Sequence, residues 1–304
     1  MSLVAGPQTR PSERGAVPRH VVTSLARSEV RRMLLNPWLV VGTVISALTY
    51  REWAQPESWS GERYGSWFIP LGGLLLATSA ITAGAFHRER VEVAAAAPAG
   101  EQVRFRARLL AATGLILPVL AGTAVMTLVV AAQGGLSLGY EPGRTAAAVP
   151  TPPEYLQGVL AAVVAIGIGA AVGRRFRHRI TATLVLILIW SSAVGAYWVF
   201  QAAATAPFAL LQSQPVSVEV GGPAADPASF PAGWLLEGPG EYQDHWARLV
   251  VSPALAAGHD VYLIGLAALL LAVAAPRGRD RRLLLAAGAA IAVAGYVAQL
   301  AVYP

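Results

Sequence analysis

Apolar positions gather into seven runs along the chain: Met33–Tyr50, Trp67–Phe86, Leu109–Ala132, Leu156–Gly173, Ile180–Ala203, Val261–Ala275 and Leu283–Tyr303. About 20 apolar residues in a helix cross the roughly 30 Å of bilayer hydrocarbon, so each run predicts a transmembrane helix. The sixth is short by itself. It reaches full length if its helix starts near Ala254, which carries His259 and Asp260 into its outer third.

Before the first run, Val22, Ala26, Val30 and Met33 repeat at helical spacing, while Arg27, Arg31 and Arg32 fall mostly on the other side. That stripe predicts an amphipathic helix lying in the membrane interface. The plainer alternative is a loose basic tail that only sets orientation. The whole pattern is that of an all-α polytopic membrane protein, with an N-terminal interfacial helix and about seven transmembrane helices. Residues 1–32 form the N-terminal segment and 33–304 the transmembrane domain.

Composition sharpens this. Only 13% of the 304 residues are charged, against about 25% in a soluble globule. The 23 basic residues are all arginine and are unevenly placed. With the N-terminus inside, the segments 1–32, 87–108, 174–179 and 276–282 hold 19 of them, and only Arg51, Arg63, Arg144 and Arg248 lie outside. "RRFRHR" at 174–179 is therefore expected as a tight cytoplasmic hairpin, since four arginines at the bilayer centre cost roughly 10 kcal/mol or more. These clusters read as topology-setting charge and not as a nucleic-acid surface. The expected location is the cell membrane, multi-pass, with a cytoplasmic N-terminus and an extracellular C-terminus. No apolar core of a secretory signal occurs in residues 1–32.

The longest external segment is 206–257, with seven prolines, five acidic residues and one arginine. Such proline density argues against a long helix there. "FALL" (208–211) and "WARLVVSPAL" (246–255) are apolar enough to dip into the membrane or pack on helix ends; a solvated loop is the equal alternative.

Several chemistries are excluded. Without lysine there is neither a P-loop lysine nor a Schiff base, and without cysteine no thiolate chemistry. No catalytic or metal-binding constellation stands out. The runs as drawn hold no ionisable residue, which argues against gradient coupling; Gln157 and Gln299 are the longest polar side chains near them. His259 and Asp260 are expected as an exposed polar pair at the outer boundary, in preference to a proton relay. Gly167, Gly169 and Gly173, with Gly72, Gly73, Gly288 and Gly295, mark places where helices approach closely. Pro70 and Pro118 are expected to break or kink the second and third spans.

The segment 87–108 interrupts two apolar runs with "HRERVEVAAAAPAGEQVRFRAR". Arginines alone suffice for orientation. Interleaved carboxylates at Glu89 and Glu92 exceed that need and suit a protein-docking surface, on a short polar helix over 88–97 that ends before Pro98.

In this layout the chain resembles the permease family of type-two ABC exporters. The resemblance rests on "ARSEVRRMLLNPW" before the first span, "RERVEVAAAAP" at 88–98, and an external excursion after the fifth span. Arg88, Glu89, Arg90 and Pro98 match the family's coupling pattern. Val91 and Glu92 stand where a Gly-Thr pair is common, and a seventh span departs from the six-span core. The resemblance implies two permease protomers, as homo- or heterodimer, around a pathway, each docked to a separate ABC ATPase subunit that carries ATP and Mg. It implies a transport subunit and no enzyme, with no cofactor on this chain. Glu89 and Arg90 would be central to docking, with Arg88 and Glu92 supporting. Arg27, Arg31 and Arg32 would hold the interfacial helix on membrane lipids. A membrane scaffold that transports nothing has the same charge pattern, and a secondary transporter would need His259 or Asp260 to titrate.

Overall fold

Asn36 and Pro37 divide the first helical stretch. Proline is tolerated at a helix's first position, where its missing N–H is unpaired in any case. The Asn36 side chain then caps the new helix by accepting from the Trp38 N–H at 3.0 Å. Two helices result, α1 (Arg19–Leu34) and α2 (Pro37–Trp53), meeting at a bend of 49°. The computed structural model describes residues 19–55, 62–91, 100–137, 147–195, 204–211, 217–232, 236–239, 244–249 and 252–303.

The predicted stripe on α1 is present. Ala26 and Met33 are buried and Val30 packs beside them, while Arg27, Arg31 and Arg32 are exposed. α1 lies against α5 (Glu101–Ala112), where Gly114, just beyond it, leaves room for the Val30 side chain.

The remaining helices are α3 (Glu62–Gly65), α4 (Gly72–Val91), α6 (Ile116–Ala132), α7 (Pro152–Arg175), α8 (Arg179–Gly195), α9 (Pro253–Ala274) and α10 (Arg279–Leu300). The expected irregularities at Pro70 and Pro118 take the form of 3₁₀ turns. Pro70 lies within Ile69–Leu71, ahead of α4; Thr113–Leu115 joins α5 to α6, and Pro118 sits in the first turn of α6. α6 ends in a turn where Gly134, at φ 77°, lets the Gly135 N–H reach back to the Val130 carbonyl at 3.0 Å.

Seven spans were expected. Five helical stretches are individually long and apolar enough to cross a membrane, and the bent pair α1–α2 counts as a sixth if the two helices form one span. α8 holds 17 residues, and 196–203 lie outside the described residues. The third expected span also changes. It was drawn from Leu109, yet the helical stretch begins at Glu101 and runs 32 residues to Ala132. Arginine stems carry enough apolar length to continue a helix out of hydrocarbon. The Arg104–Arg108 stretch, expected as the end of the charged cytoplasmic segment 87–108, is instead helical and continuous with the third span.

Glycine decides how the long helices meet. A side chain at Gly73 would strike Ile45 and the Gly42 backbone of α2; one at Gly169 would meet Thr82 and the Ser79 backbone of α4. Gly173 lies against Ala83, and on another side of α7 Gly167 lies against Leu270 of α9, 2.9 Å from where its Cβ would stand. Gly265 and Gly295 bring α9 onto Ala292 and α10 onto Tyr262. The helices thus form a close-packed row, α2–α4–α7–α9–α10, by backbone approach at α2–α4, α4–α7 and α9–α10 and by glycine against a leucine side chain at α7–α9. Trp190 ties α8 to this row. Its Nε1 donates to Ser79 Oγ at 3.0 Å, and that hydroxyl donates to the Ala165 carbonyl at 2.9 Å.

Exposed leucines, valines and isoleucines cover the outer faces of α2, α6, α8 and α10, as insertion into a membrane requires.

The described residues of the segment 206–257 form buried packing and a small sheet, not only a loop. Ala206, Pro207, Ala209 and Leu211 are buried, and Phe208 stacks on Tyr296 of α10 with ring centroids 5.4 Å apart. Strands β3 (Ser217–Gly221), β4 (Leu236–Glu237) and β5 (Trp246–Leu249) form an antiparallel sheet in the order β3-β5-β4. A smaller ladder pairs β1 (Leu136–Ser137) with β2 (Ala147–Ala148). Of the apolar stretch 246–255, for which a dip into the membrane, packing on helix ends and a solvated loop were all open, Trp246–Leu249 is the central strand of the larger sheet.

Candidate functional site

One end of the helix row collects the arginine clusters. Arg88, in the last turns of α4, lies 3.2 Å from the Glu29 carboxylate of α1. Their side chains are 17% and 21% exposed, so this pair is shielded more than a surface ion pair. Glu101 at the start of α5 pairs with Arg174 at the end of α7. The Asp280 carboxylate of α10 accepts from Gln102 Nε2 at 2.7 Å and from Arg106 at 2.5 Å. Between these bridges Phe105 meets Phe86 edge-on at 5.7 Å, and His87 and Arg108 are buried.

The expected coupling residues divide accordingly. α4 continues unbroken through Arg88, Glu89, Arg90 and Val91, so these residues belong to the end of a long helix and not to a separate short one. Arg88 faces α1. The side chains of Glu89 and Arg90 lie outside the described residues, as do Glu92 and Pro98 altogether.

The opposite end holds polar groups inside the helix packing. Glu154 sits in the first turn of α7, 1% exposed. Its carboxylate accepts from the Thr151 N–H at 2.5 Å and from the Thr151 hydroxyl at 2.8 Å, the reciprocal contact of a capping box. Tyr64 donates its hydroxyl to the same carboxylate at 2.8 Å. Beneath lie Trp67 and Tyr155, with ring centroids 6.1 Å apart.

Asp260 and His259 were expected to be exposed. They are 6% and 1% exposed, because α9 starts at Pro253 and places both in its second turn. The two side chains diverge. His259 Nδ1 lies 3.1 Å from Gln299 Oε1 on α10. Asp260 shares a stripe with Leu263, Ala267 and Leu270, the α9 residues that face α7. Gly167 meets Leu270, and Ala171 and Arg174 line one cleft with Val273 and Pro276, so the two helices run the same way. Ten residues back on each, Gln157 and Asp260 stand at one level. Neither Gln157 side-chain atom has a hydrogen-bond partner, nor does Asp260 Oδ1, and Gln157 is 2% exposed.

Burying a carboxylate costs several kcal/mol unless it is paired or neutral. Among the described residues no arginine pairs with Glu154 or Asp260. The arrangement can therefore hold a proton. No group of three or more His, Asp or Glu gathers for a metal ion among the described residues.

Sequence reasoning missed Glu154 because the fourth span was drawn from Leu156. The signal was present in "TPPE" at 151–154, a threonine three residues before a glutamate at the head of an apolar run. No protein-family model matches the chain, and no curated protein is significantly similar to it.

Proposed function

We propose that the chain is the transmembrane permease subunit of an ATP-driven ABC exporter, with the arginine-rich end cytoplasmic and docked to a separate ATPase. The observation that carries this reading is the Arg88–Glu29 bridge. It joins the end of α4 to an amphipathic helix set at 49° to the first apolar helix. A push on the 87–101 connection is thereby delivered to α1 and, across the Asn36–Pro37 bend, to α2. α5 and α10 receive the same push through Asp280. Such a platform suits an energy source outside the chain, and a sequence without lysine supplies no P-loop of its own.

The test is co-expression with the ATPase encoded nearest this gene, purification through a tag on this chain, and assay of bound ATP hydrolysis. Reversing Glu89 and Arg90 together should abolish ATPase retention while the protein still inserts. Retention unchanged by the reversal sinks the docking role.

A second reading, a gradient-driven transporter, gains support from Asp260 and Glu154, which are buried, whereas Asp260 was expected to be exposed and Glu154 fell outside the fourth span as drawn. Under that reading Asp260→Asn abolishes proton-dependent transport in sealed vesicles; under the exporter reading ATP-driven transport survives it.

A further inference from the structure

At the arginine-rich end, the last turn of α7 and the turn from α9 into α10 enclose a cleft of about 380 Å³. Buried Ala171 and Pro276 supply an apolar floor, and Arg174, Arg175, Arg277 and Arg281 line the rim together with Glu101.

The charges do not cancel. Glu101 is committed to Arg174, and Asp280, one residue from Arg281, is committed to Gln102 and Arg106. Arg175, Arg277 and Arg281 have no acidic partner among the described residues. Arg281 Nε is buried and makes no hydrogen bond. The α10 helix opens beside it at Gly278, which offers no side-chain cap, so the positive end of the helix adds to the rim.

Three guanidinium groups from two chain segments thus converge on a space too small for a folded peptide and large enough for a headgroup. Guanidinium forks match the paired oxygens of a phosphate, and a soft, weakly hydrated cation tolerates the apolar floor. The cleft also lies where apolar helices end, the level at which basic pockets between membrane helices meet lipid headgroups.

We propose that this cleft binds a phosphate group, presented either by an anionic phospholipid or by a soluble phosphate. The proposal is independent of whether an ATPase docks at the same end.

The full chain is purified in neutral detergent and placed in nanodiscs of phosphatidylcholine, with or without phosphatidylglycerol. Bound lipid is counted by native mass spectrometry and the unfolding midpoint is recorded. A parallel arm replaces chloride by inorganic phosphate at matched ionic strength. The variant Arg175→Gln/Arg277→Gln removes two exposed rim charges, and Arg177→Gln/Arg282→Gln removes two exposed charges away from the cleft. A juxtamembrane arginine contributes about 1 kcal/mol toward an anionic headgroup, so loss of the rim pair should weaken retention roughly tenfold or more. Retention of phosphatidylglycerol in the wild type and control, lost in the rim variant, supports the site and assigns a lipid source. A rise in midpoint with inorganic phosphate, without lipid retention and absent in the rim variant, supports it with a soluble source. Equal effects in rim and control variants, or no effect in the wild type, overturn it. So does capture of a polyglutamate peptide that phosphate does not displace.

Discussion

Glu154 receives three hydrogen bonds, from Tyr64 and from both the N–H and hydroxyl of Thr151, while Asp260 Oδ1 receives none. The two carboxylates should therefore answer substitution in opposite ways. Tyr64→Phe removes a donor from a buried acceptor and should lower stability by about 1–3 kcal/mol, read as a fall in the unfolding midpoint in detergent. Asp260→Asn removes a buried group of negative charge without breaking a hydrogen bond, so its midpoint should stay level or rise. A large fall in the asparagine variant means that Asp260 has a structural partner. These residues also show where the sequence is hard to read. Apolar runs locate helices, yet they say nothing of which boundary carboxylate turns inward. That is decided by where a cap starts the helix, here Thr151 for α7 and Ser252 for α9.

Among the elements, α7 is the most constrained, because it offers glycine to α4 and to α9 from different sides. Gly169→Val should cost more than about 2 kcal/mol, or prevent insertion, since the new side chain meets backbone that cannot move aside. Gly195→Val, whose Cβ meets nothing within 4 Å among the described residues, is the control and should be close to neutral. The link from α1 to α4 is tested by a charge exchange. Glu29→Arg and Arg88→Glu should each destabilise, and the double exchange should recover part of the loss, with a coupling of about 1 kcal/mol in a double-mutant cycle. A coupling of zero makes the bridge incidental. The helices themselves were legible from apolar periodicity, and the α1 stripe from four residues. The β3-β5-β4 sheet was not, because its strands are short and separated by proline-rich stretches, and sheet pairing is a non-local property. The continuity of α5 into α6 was hidden because Arg104, Arg106 and Arg108 read in sequence as the end of a charged segment, whereas in the fold Arg106 pairs with Asp280 and Arg108 is buried.

For the whole molecule, the four arginine-bearing segments expected on one side do share one end: Glu29 meets Arg88, Glu101 meets Arg174, and Gln102 meets Asp280. Since the chain has no cysteine, single cysteines report side directly. Positions 28, 177 and 282 should react with an impermeant thiol reagent from the same face, and 133 and 226 from the other; a mixed pattern breaks the orientation. The row α2–α4–α7–α9–α10 has a mechanical meaning as well. Helices that touch through leucine can slide by exchanging rotamers, whereas helices that touch through glycine backbone have no soft layer between them. The row is therefore stiff within α2–α4–α7 and within α9–α10, and softer at the α7–α9 seam, where Gly167 meets the Leu270 side chain. Any cycle that opens and closes a path must flex at that seam, at the margins where α6 and α8 attach by side chains, or between two copies. Spin-label distances within α2–α4–α7 and within α9–α10 should stay constant through such a cycle, while those across the seam or to α6 or α8 change.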